Sequence, residues 1–408
     1  MKKISLLVLF LSLLGCKQEY TTQNKILEDV TFLADDKLEG RQTGTEGEKA
    51  AAAYLVQRFQ ELDLEPKGTD GYIQMFNFKP KTNPHEDVKF TEVSSDSTIV
   101  GRNVLGFIDN KSDQTIVIGA HYDHLGYGGE GSLFRGDEKA IHNGADDNAS
   151  GVALMLNLAS KLRATNVNNN YLFIAFSGEE MGLLGSNYFV KNATIDVAKM
   201  NYMINMDMVG KMNADSTLAV YGVGTSPRFK QALTANNQFF KLVENESGIG
   251  PSDHTSFYLG DVPVLHFFTG QHEDYHKPGD DASKLNYEGM NMISDYIFDI
   301  ITDLDSNGKL SFRKTKNESE ETPRFKVGLG VVPDYLFDGK GMRIDGVSDD
   351  KPAQKAGLQK GDVVVKLGDS TVVDMMSYMR ALSVFEKGNK SKVLVLRDGK
   401  EVIFDISF

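Results

Sequence analysis

The sequence has one cysteine, no tryptophan and a shortage of positive charge. A single thiol can form neither a disulfide within the chain nor a cysteine cluster for zinc, so any bound metal must be held by nitrogen and oxygen ligands. The 44 Lys and Arg residues stand against 57 Asp and Glu, a net charge of −13. Nucleic-acid binding needs a basic surface, so we expect no nucleic-acid partner.

The sequence also has no apolar run long enough to cross a membrane, and its first residues contain a short one. Lys2 and Lys3 precede an apolar run over residues 4–14, and Cys16 follows Gly15. The run is too short to cross a bilayer and is typical of a secretory signal. The segment Leu-Leu-Gly-Cys at 13–16 resembles the bacterial lipobox, whose cysteine is lipid-modified. The alternative is an ordinary signal peptide followed by a chance cysteine.

The lipobox resemblance implies a division of the first residues and a location. Residues 1–15 would be a lipoprotein signal peptide and the polar residues 16–25 a tether. The protein would be anchored in the bacterial cell envelope through lipid on Cys16, facing the periplasm or the surface. Contact with the membrane would be through that anchor only.

The 408 residues and a hydrophobic content of 40% predict two folded units with real cores. Between residues 26 and 304, apolar runs alternate with helical patterns, which predicts an α/β domain whose mostly parallel central sheet has helices on both faces. The predicted strands are Asn103–Ile108, Thr115–Ala120, Tyr171–Phe176, Tyr202–Met206, Leu218–Tyr221 and Val262–Phe268.

The composition changes after Leu304. Residues 305–323 are polar and charged, which is typical of a linker. Residues 324–408 contain short strand-like runs, beginning with Lys326–Val331, and one helical stretch near Asp374–Val384. We therefore expect a small, β-rich C-terminal domain.

Seven of the eight histidines lie between His121 and His276, in or beside acidic and glycine-rich motifs. Each motif alone has an ordinary explanation, such as a helix cap or a solvated acid. The motifs occur in the order His, Asp, Glu-Glu, Asp, His, mostly just after predicted strands, where open α/β sheets place their sites. They are GAHYDHLG at 119–126, NGADDNASG at 143–151, SGEE at 177–180, NMD at 205–207 and YHKPGD at 275–280.

This combination closely resembles the di-zinc aminopeptidases of metallopeptidase family 28, clan MH, over roughly residues 26–300. The resemblance implies two Zn²⁺ ions bridged by Asp147, with His121 and Asp207 on one ion and Glu180 and His276 on the other. It further implies Glu179 as the general base and Tyr275 as a catalytic group steadying the oxyanion. Asp123, two residues after His121, is the natural candidate to hold the second ring nitrogen of that histidine through its carboxylate. Asp253 and His254 would be outer partners of the ligands or substrate-pocket residues.

The C-terminal domain resembles a bacterial PDZ domain over about residues 324–408. Gly328, Leu329 and Gly330 match its carboxylate loop, where backbone N–H groups can bind the C-terminus of a peptide that adds a strand. The alternative is a small β domain that only packs against its neighbour.

The sequence therefore predicts a di-zinc exopeptidase, first of all an aminopeptidase, with peptide substrates. A C-terminal peptide ligand in the PDZ groove is a further candidate partner. Two alternatives stay open. One is a carboxypeptidase or dipeptidase on the same scaffold, and the other is a non-catalytic envelope scaffold that binds peptides through the PDZ groove.

Cys16→Ser tests the lipid anchor. Without the thiol no lipid can be attached, so the variant should lose incorporation of labelled fatty acid and move from the membrane to the soluble fraction. A wild-type protein that is soluble and free of lipid would contradict the lipobox interpretation.

Overall fold

The computed structural model describes residues 25–408 except 81–87, 93, 94, 96, 130, 135, 137, 166, 167, 316–325, 335, 336, 338 and 349. Cys16 and the apolar run of residues 4–14 lie outside this range. Among the described residues, no helix has both the length and the apolar character that a membrane crossing requires.

The first domain is built on a ten-stranded sheet. Its strands are β1 (Glu65–Pro66), β2 (Ile73–Lys79), β3 (Lys89–Thr91), β4 (Ile99–Ile108), β5 (Thr115–His121), β6 (Asn170–Phe176), β7 (Met200–Met206), β8 (Thr217–Tyr221), β9 (Lys241–Glu244) and β10 (Val264–Phe268). Their order is β3-β2-β4-β6-β5-β7-β10-β8-β9, and β1 pairs with β4.

The sheet is parallel at its centre and mixed towards its edges. Strands β6, β5, β7 and β10 run parallel, in a register that pairs Thr115 with Asn170 and Val264 with Met203. The pairs β4–β6, β2–β4, β2–β3 and β8–β10 are antiparallel. The fold class is confirmed, but the parallel part of the sheet is smaller than expected.

Helices cover both faces of this sheet. They are α1 (25–33), α2 (Glu46–Glu61), α3 (Gly151–Arg163), α4 (Leu184–Lys191), α5 (Phe229–Asn236), α6 (His254–Leu259) and α7 (Tyr287–Leu304). Successive residues of β6 alternate between two apolar layers: Phe173 packs in the core under α3 and α7, and Leu172 packs in the core that contains Phe257 of α6. Burial on both faces explains why the central strands are continuous apolar runs.

The predicted strands in this domain all exist, whereas β1, β2, β3 and β9 were missed. Strand β2 alternates buried and less buried residues and includes Gln74 and Asn77, so it lacks a continuous apolar run. Strand β9 is partly exposed along its length. Strands at or near the edges of a sheet carry a weaker hydrophobic signal than central ones.

The first part of the predicted linker is held against the first domain. The carboxylate of Asp305 accepts hydrogen bonds from the side chains of Asn168 and Asn169, each at 2.7 Å. Leu310 is buried, and its backbone N–H donates to Asn201 at 2.7 Å. Thr315 lies 3.0 Å from the hydroxyl of Tyr258. The polar residues between 305 and 315 therefore make hydrogen bonds to the surface of the first domain, and this part of the predicted linker is attached to that domain.

The second domain has strands β11 (Val331–Pro333), β12 (Met342–Val347), β13 (Val363–Leu367), β14 (Ser370–Thr371), β15 (Lys390–Arg397) and β16 (Lys400–Ser407), and helices α8 (Pro352–Ala356) and α9 (Met375–Ser383). The strand predicted at Lys326–Val331 is wrong for residues 326–330, which form no strand. Gly330 has φ +79°, a left-handed conformation that interrupts an extended chain. Helix α8 was not predicted.

A buried ion pair attaches α1 to α2. Arg58 donates from Nε to the Oδ1 of Asp29 at 2.7 Å, and Tyr54 donates to the same oxygen at 2.5 Å. Asp29 is 2% exposed. A charge in this position is tolerated only because its partners satisfy it.

We predict that Asp29→Ala lowers the free energy of unfolding by about 3–5 kcal/mol, because it leaves the Arg58 charge without its main partner. Asp295→Ala is the control: Asp295 is exposed and pairs with Lys161 at 2.7 Å, so its loss should cost less than about 1 kcal/mol. Urea unfolding measures both. Equal losses in the two variants would contradict this account of α1.

Candidate metal centre

The ends of neighbouring strands bring the predicted ligands together. His121 is the last residue of β5, Glu179 and Glu180 follow β6, and Asp207 follows β7. These strands are adjacent and parallel, so their carboxyl ends meet at one edge of the sheet. The loop after β10 carries His276 to the same edge, and Asp147 lies in the irregular helical segment just before α3.

Asp147 lies at the centre of this group and divides its two carboxylate oxygens between two sides. Oδ1 is 3.3 Å from Nε2 of His121, which is also 3.2 Å from Asp207. Oδ2 is 3.1 Å from Nε2 of His276, which is 3.4 Å from Glu180. The five predicted ligands therefore form two groups that share Asp147, which is the arrangement expected of a bridging carboxylate.

A second imidazole, not predicted from the sequence, reaches the Glu180 side. Nδ1 of His124 lies 2.8 Å from Oε1 of Glu180 and 4.0 Å from Asp147. His124, Asp147 and Glu180 form a compact set of donor atoms, as do His121, Asp147 and Asp207. We favour His276 as the nitrogen ligand because its Nε2 is closer to Asp147. The signal for His124 was present in the GAHYDHLG motif, three residues after His121.

Glu179 faces the same cluster from the His121 side. Its Oε2 is 4.0 Å from Nε2 of His121, and its backbone N–H donates to Asp123 at 3.1 Å. Burial raises the pKa of Glu179 well above its usual range; His121 lowers it, and Asp207 and Glu180 raise it further. A buried carboxylate with a raised pKa is suited to accept and return a proton.

Asp123 supports the cluster differently from the sequence prediction. Nδ1 of His121 lies 3.1 Å from the backbone carbonyl of Asp123 but 3.7 Å from its carboxylate. The carboxylate instead accepts from Thr43 at 3.0 Å and from the backbone of Glu179. Asp123 therefore fixes His121 through its main chain and Glu179 through its side chain.

The charges of this group suit a cation. Burial lowers the pKa of His121, but Asp207 and Glu179 outweigh it and the net pKa is raised well above the usual value. Burial likewise opposes the charge on His276, while Glu180 and Asp147 raise its pKa to about 9. The carboxylates thus draw positive charge onto the imidazoles. The buried Nε2 of His124 also has no hydrogen-bond partner among the described residues, and the 2.8 Å contact of its Nδ1 with Glu180 does not have hydrogen-bond geometry, so the donor set fits metal ions.

A buried arginine holds the loops that carry the ligands. Arg41 donates to the carbonyls of Tyr122 at 2.7 Å, Asn143 at 2.6 Å and Gly144 at 3.0 Å. It thereby joins the segment after β5 to the loop before Asp147. Burial lowers the pKa of Arg41 to about 10, against the opposing effect of Asp123 and others. A lone arginine in a polar stretch gave no sequence signal for this role.

Asp280 holds the Asp147 loop from the other side. Its carboxylate accepts from the backbone N–H groups of Asp146 and Asp147, both at 3.0 Å. Burial and the neighbouring Asp146 raise the pKa of Asp280 to about 6. His272, 3.2 Å from Asp146, completes this group. The YHKPGD motif therefore supplies both a candidate ligand and a support for Asp147.

A cavity of about 310 Å³ opens onto the cluster. It is lined by Asp147, Glu179, Glu180, Gly182, Leu183, Asp207, Met208, Tyr221, Pro251, His266, Phe268, Gln271, Tyr275 and His276. Tyr275 stacks on His276 with ring centroids 3.9 Å apart. The ring of Tyr275 therefore forms part of the cavity wall and would contact a molecule bound there.

Asp253 and His254 lie behind the cavity and are not among its lining residues. Both are fully buried, and the ring of His254 stacks on His266 at 4.4 Å. Burial raises the pKa of Asp253 to about 7 against the influence of His121. No hydrogen bond joins either residue to a candidate ligand among the described residues, so both roles that the resemblance allowed stay predictions.

Comparisons with known proteins agree with this fold. Residues 103–301 match the model of Peptidase family M28, and residues 310–408 match that of the PDZ domain. A "Probable leucine aminopeptidase" of Trichophyton verrucosum (strain HKI 0517) is 27% identical over 261 residues, covering 61% of this chain and 63% of the relative. The "Alkaline phosphatase isozyme conversion protein" of Escherichia coli (strain K12) is 30% identical, covering 48% and 53%.

A solved structure shares the fold at low identity. The crystal structure of BSAP, a zinc aminopeptidase from Bacillus subtilis, aligns with a TM-score of 0.55 and 16% identity, over 72% of this chain and 96% of that one. The chain spans less than two thirds of the length of the curated relatives named above.

Fold and donor set define an α/β domain with a candidate metal centre, joined to a small β domain. The chain carries a peptidase family M28 domain followed by a PDZ domain, as the motifs predicted.

Arg41→Met tests whether this residue organises the metal centre. The variant leaves buried carbonyls without donors, so unfolding should become easier by about 3 kcal/mol or more. Because it supports the ligands rather than binding metal, metal affinity should fall by roughly 10–100-fold. Denaturant unfolding and competition with a chelator measure the two effects. Arg163→Met, on an exposed arginine, is the control, and a match between the two variants would contradict the role of Arg41.

Proposed function

We propose that the protein is a zinc-dependent aminopeptidase that removes N-terminal residues from peptides. The charge of the cavity carries this proposal. Asp147, Glu179, Glu180 and Asp207 line it, and no lysine or arginine appears among its described lining residues. With two zinc ions bound, these four carboxylates are balanced, so the wall has no cationic side chain for a substrate carboxylate and no excess positive charge to repel a free N-terminal amine.

The same observation argues against a carboxypeptidase. A C-terminal carboxylate needs a cationic side chain or a set of free N–H donors beside the reacting bond, and arginine is the usual choice. Arg41, which supports the loops of the site, is buried, and its guanidinium donates to backbone carbonyls. A dipeptidase that binds both ends of its substrate in this cavity meets the same difficulty.

The donor set supports two ions, with Asp147 between His121 and Asp207 on one side and Glu180 and His276 on the other. Nitrogen and oxygen ligands in this number suit zinc. When bound, two such ions lower the pKa of a water molecule and polarise the scissile carbonyl. The shared position of Asp147 is what supports two ions rather than one.

The remaining chemistry belongs to the chain itself. Glu179 accepts the proton of the attacking water on its carboxylate and later delivers it to the leaving amine. The backbone N–H of Glu179 donates a hydrogen bond to the carboxylate of Asp123, which keeps Glu179 in place. Tyr275, stacked on His276 beside the cavity, stabilises the negative charge that develops on the carbonyl oxygen.

The apolar part of the cavity wall favours apolar N-terminal residues. Met208, Tyr221 and Phe268 pack as one cluster, and Tyr275 packs against it. Burying a leucine or phenylalanine side chain there is worth about 1.5–3 kcal/mol. We therefore expect leucine, methionine or phenylalanine to be preferred over charged residues.

A non-catalytic scaffold is the alternative from another class. It would tolerate the loss of a ligand or of the base, whereas Glu179 and all five candidate ligands are present and adjacent. We also propose that the enzyme works in the bacterial cell envelope, anchored through Cys16; this rests on the lipobox resemblance alone.

A substrate panel tests the direction of cleavage. Leucine p-nitroanilide should be hydrolysed in the presence of zinc, whereas N-acetyl-leucine p-nitroanilide, which lacks the free amine, should not. Peptides blocked at the N-terminus but free at the C-terminus should also resist. Hydrolysis of the blocked peptides with none of leucine p-nitroanilide would instead indicate a carboxypeptidase.

Glu179→Gln separates the base from the ligands. The change keeps size and shape but removes the basic oxygen, so kcat on leucine p-nitroanilide should fall by about 10²–10⁴-fold with zinc content near two equivalents. Glu180→Gln is the matched variant one residue away, and it should lose zinc as well as rate. Near-normal kcat in Glu179→Gln, or zinc loss in that variant alone, would reverse the two assignments.

A further inference from the structure

A second cavity, of about 550 Å³, lies between the PDZ domain and the peptidase domain. The PDZ domain contributes the loop Gly328-Leu329-Gly330, strand β11 and helix α9. The peptidase domain contributes Tyr221 and residues between Asn245 and Pro251. Tyr221 and Pro251 line this cavity and the cavity over the metal centre, so the two spaces adjoin.

The PDZ side of the cavity has the geometry of a groove for an extended peptide. Strand β11 is the end strand of its sheet in the described chain and pairs only with β12 there, which leaves one edge open. Helix α9 forms the opposite wall with Met375, Tyr378, Met379 and Leu382. An added strand can pair with β11 and place an apolar side chain against α9.

The loop at the end of the groove suits a carboxylate. The carbonyls of Leu329 and Gly330 accept from the backbone of Ala353 at 2.8 Å and Ser348 at 2.9 Å, which anchors the loop. Within the described part of the chain, the N–H groups of Gly328, Leu329 and Gly330 donate to no other residue. A cluster of such N–H groups is a general anion-binding arrangement.

The connection between the domains keeps the groove close to the metal centre. Thr315 is held by Tyr258, and its Oγ1 also accepts from Gly248 at 3.4 Å, beside the residues that line the second cavity. Lys326 follows eleven residues later. A chain of that length reaches roughly 40 Å at most, so a peptide held by one domain stays at high effective concentration for the other.

We infer that the groove holds the C-terminal carboxylate of the same peptide whose N-terminal residue lies at the metal centre. This rests on the proposed aminopeptidase function. The substrate class is then peptides with a free C-terminal carboxylate and an apolar last residue, long enough to span both cavities. Each cleavage shortens such a peptide, so trimming slows once the remaining peptide no longer reaches both sites.

The experiment compares matched peptides that end in a free acid or in an amide, over a series of increasing lengths, on the full-length protein with zinc. For long peptides, kcat/KM should be about tenfold or more higher for the acid, because hydrogen bonds to the charged carboxylate are lost in the amide. Short peptides should show no difference. Mass spectrometry of a long acid should reveal a shortened product that accumulates, whereas the amide should not.

Gly328→Asp tests the loop in the same assay. A Cβ at Gly328 has room, with the backbone nitrogen of Gly330 its nearest neighbour at 4.0 Å, so the new carboxylate would lie beside the binding N–H groups and repel the peptide's own. The ratio of acid to amide should fall to about one. Ile403→Asp adds the same charge on β16, at the other edge of the sheet and 62% exposed, and should keep the wild-type ratio.

Equal rates on acid and amide in the wild type would overturn the inference, with or without a folded Gly328→Asp variant. So would an unchanged preference in Gly328→Asp. Leucine p-nitroanilide, too small to span the cavities, reports on the proposed function alone. Its hydrolysis together with equal rates on acid and amide refutes only the shared-peptide inference, whereas its failure refutes the aminopeptidase proposal.

Discussion

The site depends on one carboxylate, Asp147, whose two oxygens face different imidazoles. Oδ1 approaches His121 and Oδ2 approaches His276, at 3.3 and 3.1 Å. Three further acids, Glu179, Glu180 and Asp207, line the same cavity. Four negative charges so close together repel one another unless cations compensate them, and the rest of the site supports that compensation. Arg41 and Asp280 fix the loop around Asp147 through its backbone, so the carboxylate stays between the two sides.

This arrangement also determines which end of a peptide the cavity favours. Once bound cations balance these carboxylates, the space has no described lysine or arginine to pair with a substrate carboxylate, whereas a free N-terminal amine needs no such partner. The C-terminus of a peptide is better placed at the loop of residues 328–330, where N–H groups are available. The two domains thus offer complementary chemistry to the two ends of one peptide, and the adjoining cavities give that complementarity a physical route.

The sequence was sufficient for the centre of the fold and for the ligand cluster. Strands β5, β6 and β7 are buried on both faces, so their apolar runs are continuous, and a residue of the site lies at the end of each strand or shortly after it. The sequence was insufficient where a strand is only partly buried, or where the backbone conformation of a single residue ends a strand. Strands β2 and β9 lie nearer the edges and lack such runs. The loop at Gly330 turns where the pattern of residues 326–331 suggested an extended strand.

The supporting residues were the hardest to predict because their partners are distant in sequence. Arg41 binds carbonyls about a hundred positions away, and its own neighbours look like an ordinary polar turn. His124 was visible in its motif but indistinguishable from a helper of His121 until its distance to Glu180 was known. The peptidase side of the PDZ groove depends on how two separately predicted domains meet, which no local pattern encodes.

The most direct test of the shared carboxylate is anomalous X-ray diffraction at the zinc edge from crystals of the full-length protein grown with zinc. Two peaks are expected, one within coordination distance of His121 and Asp207, the other within that distance of Glu180 and His276, with Asp147 contacting both. A single peak, or two peaks of which only one contacts Asp147, would contradict the account.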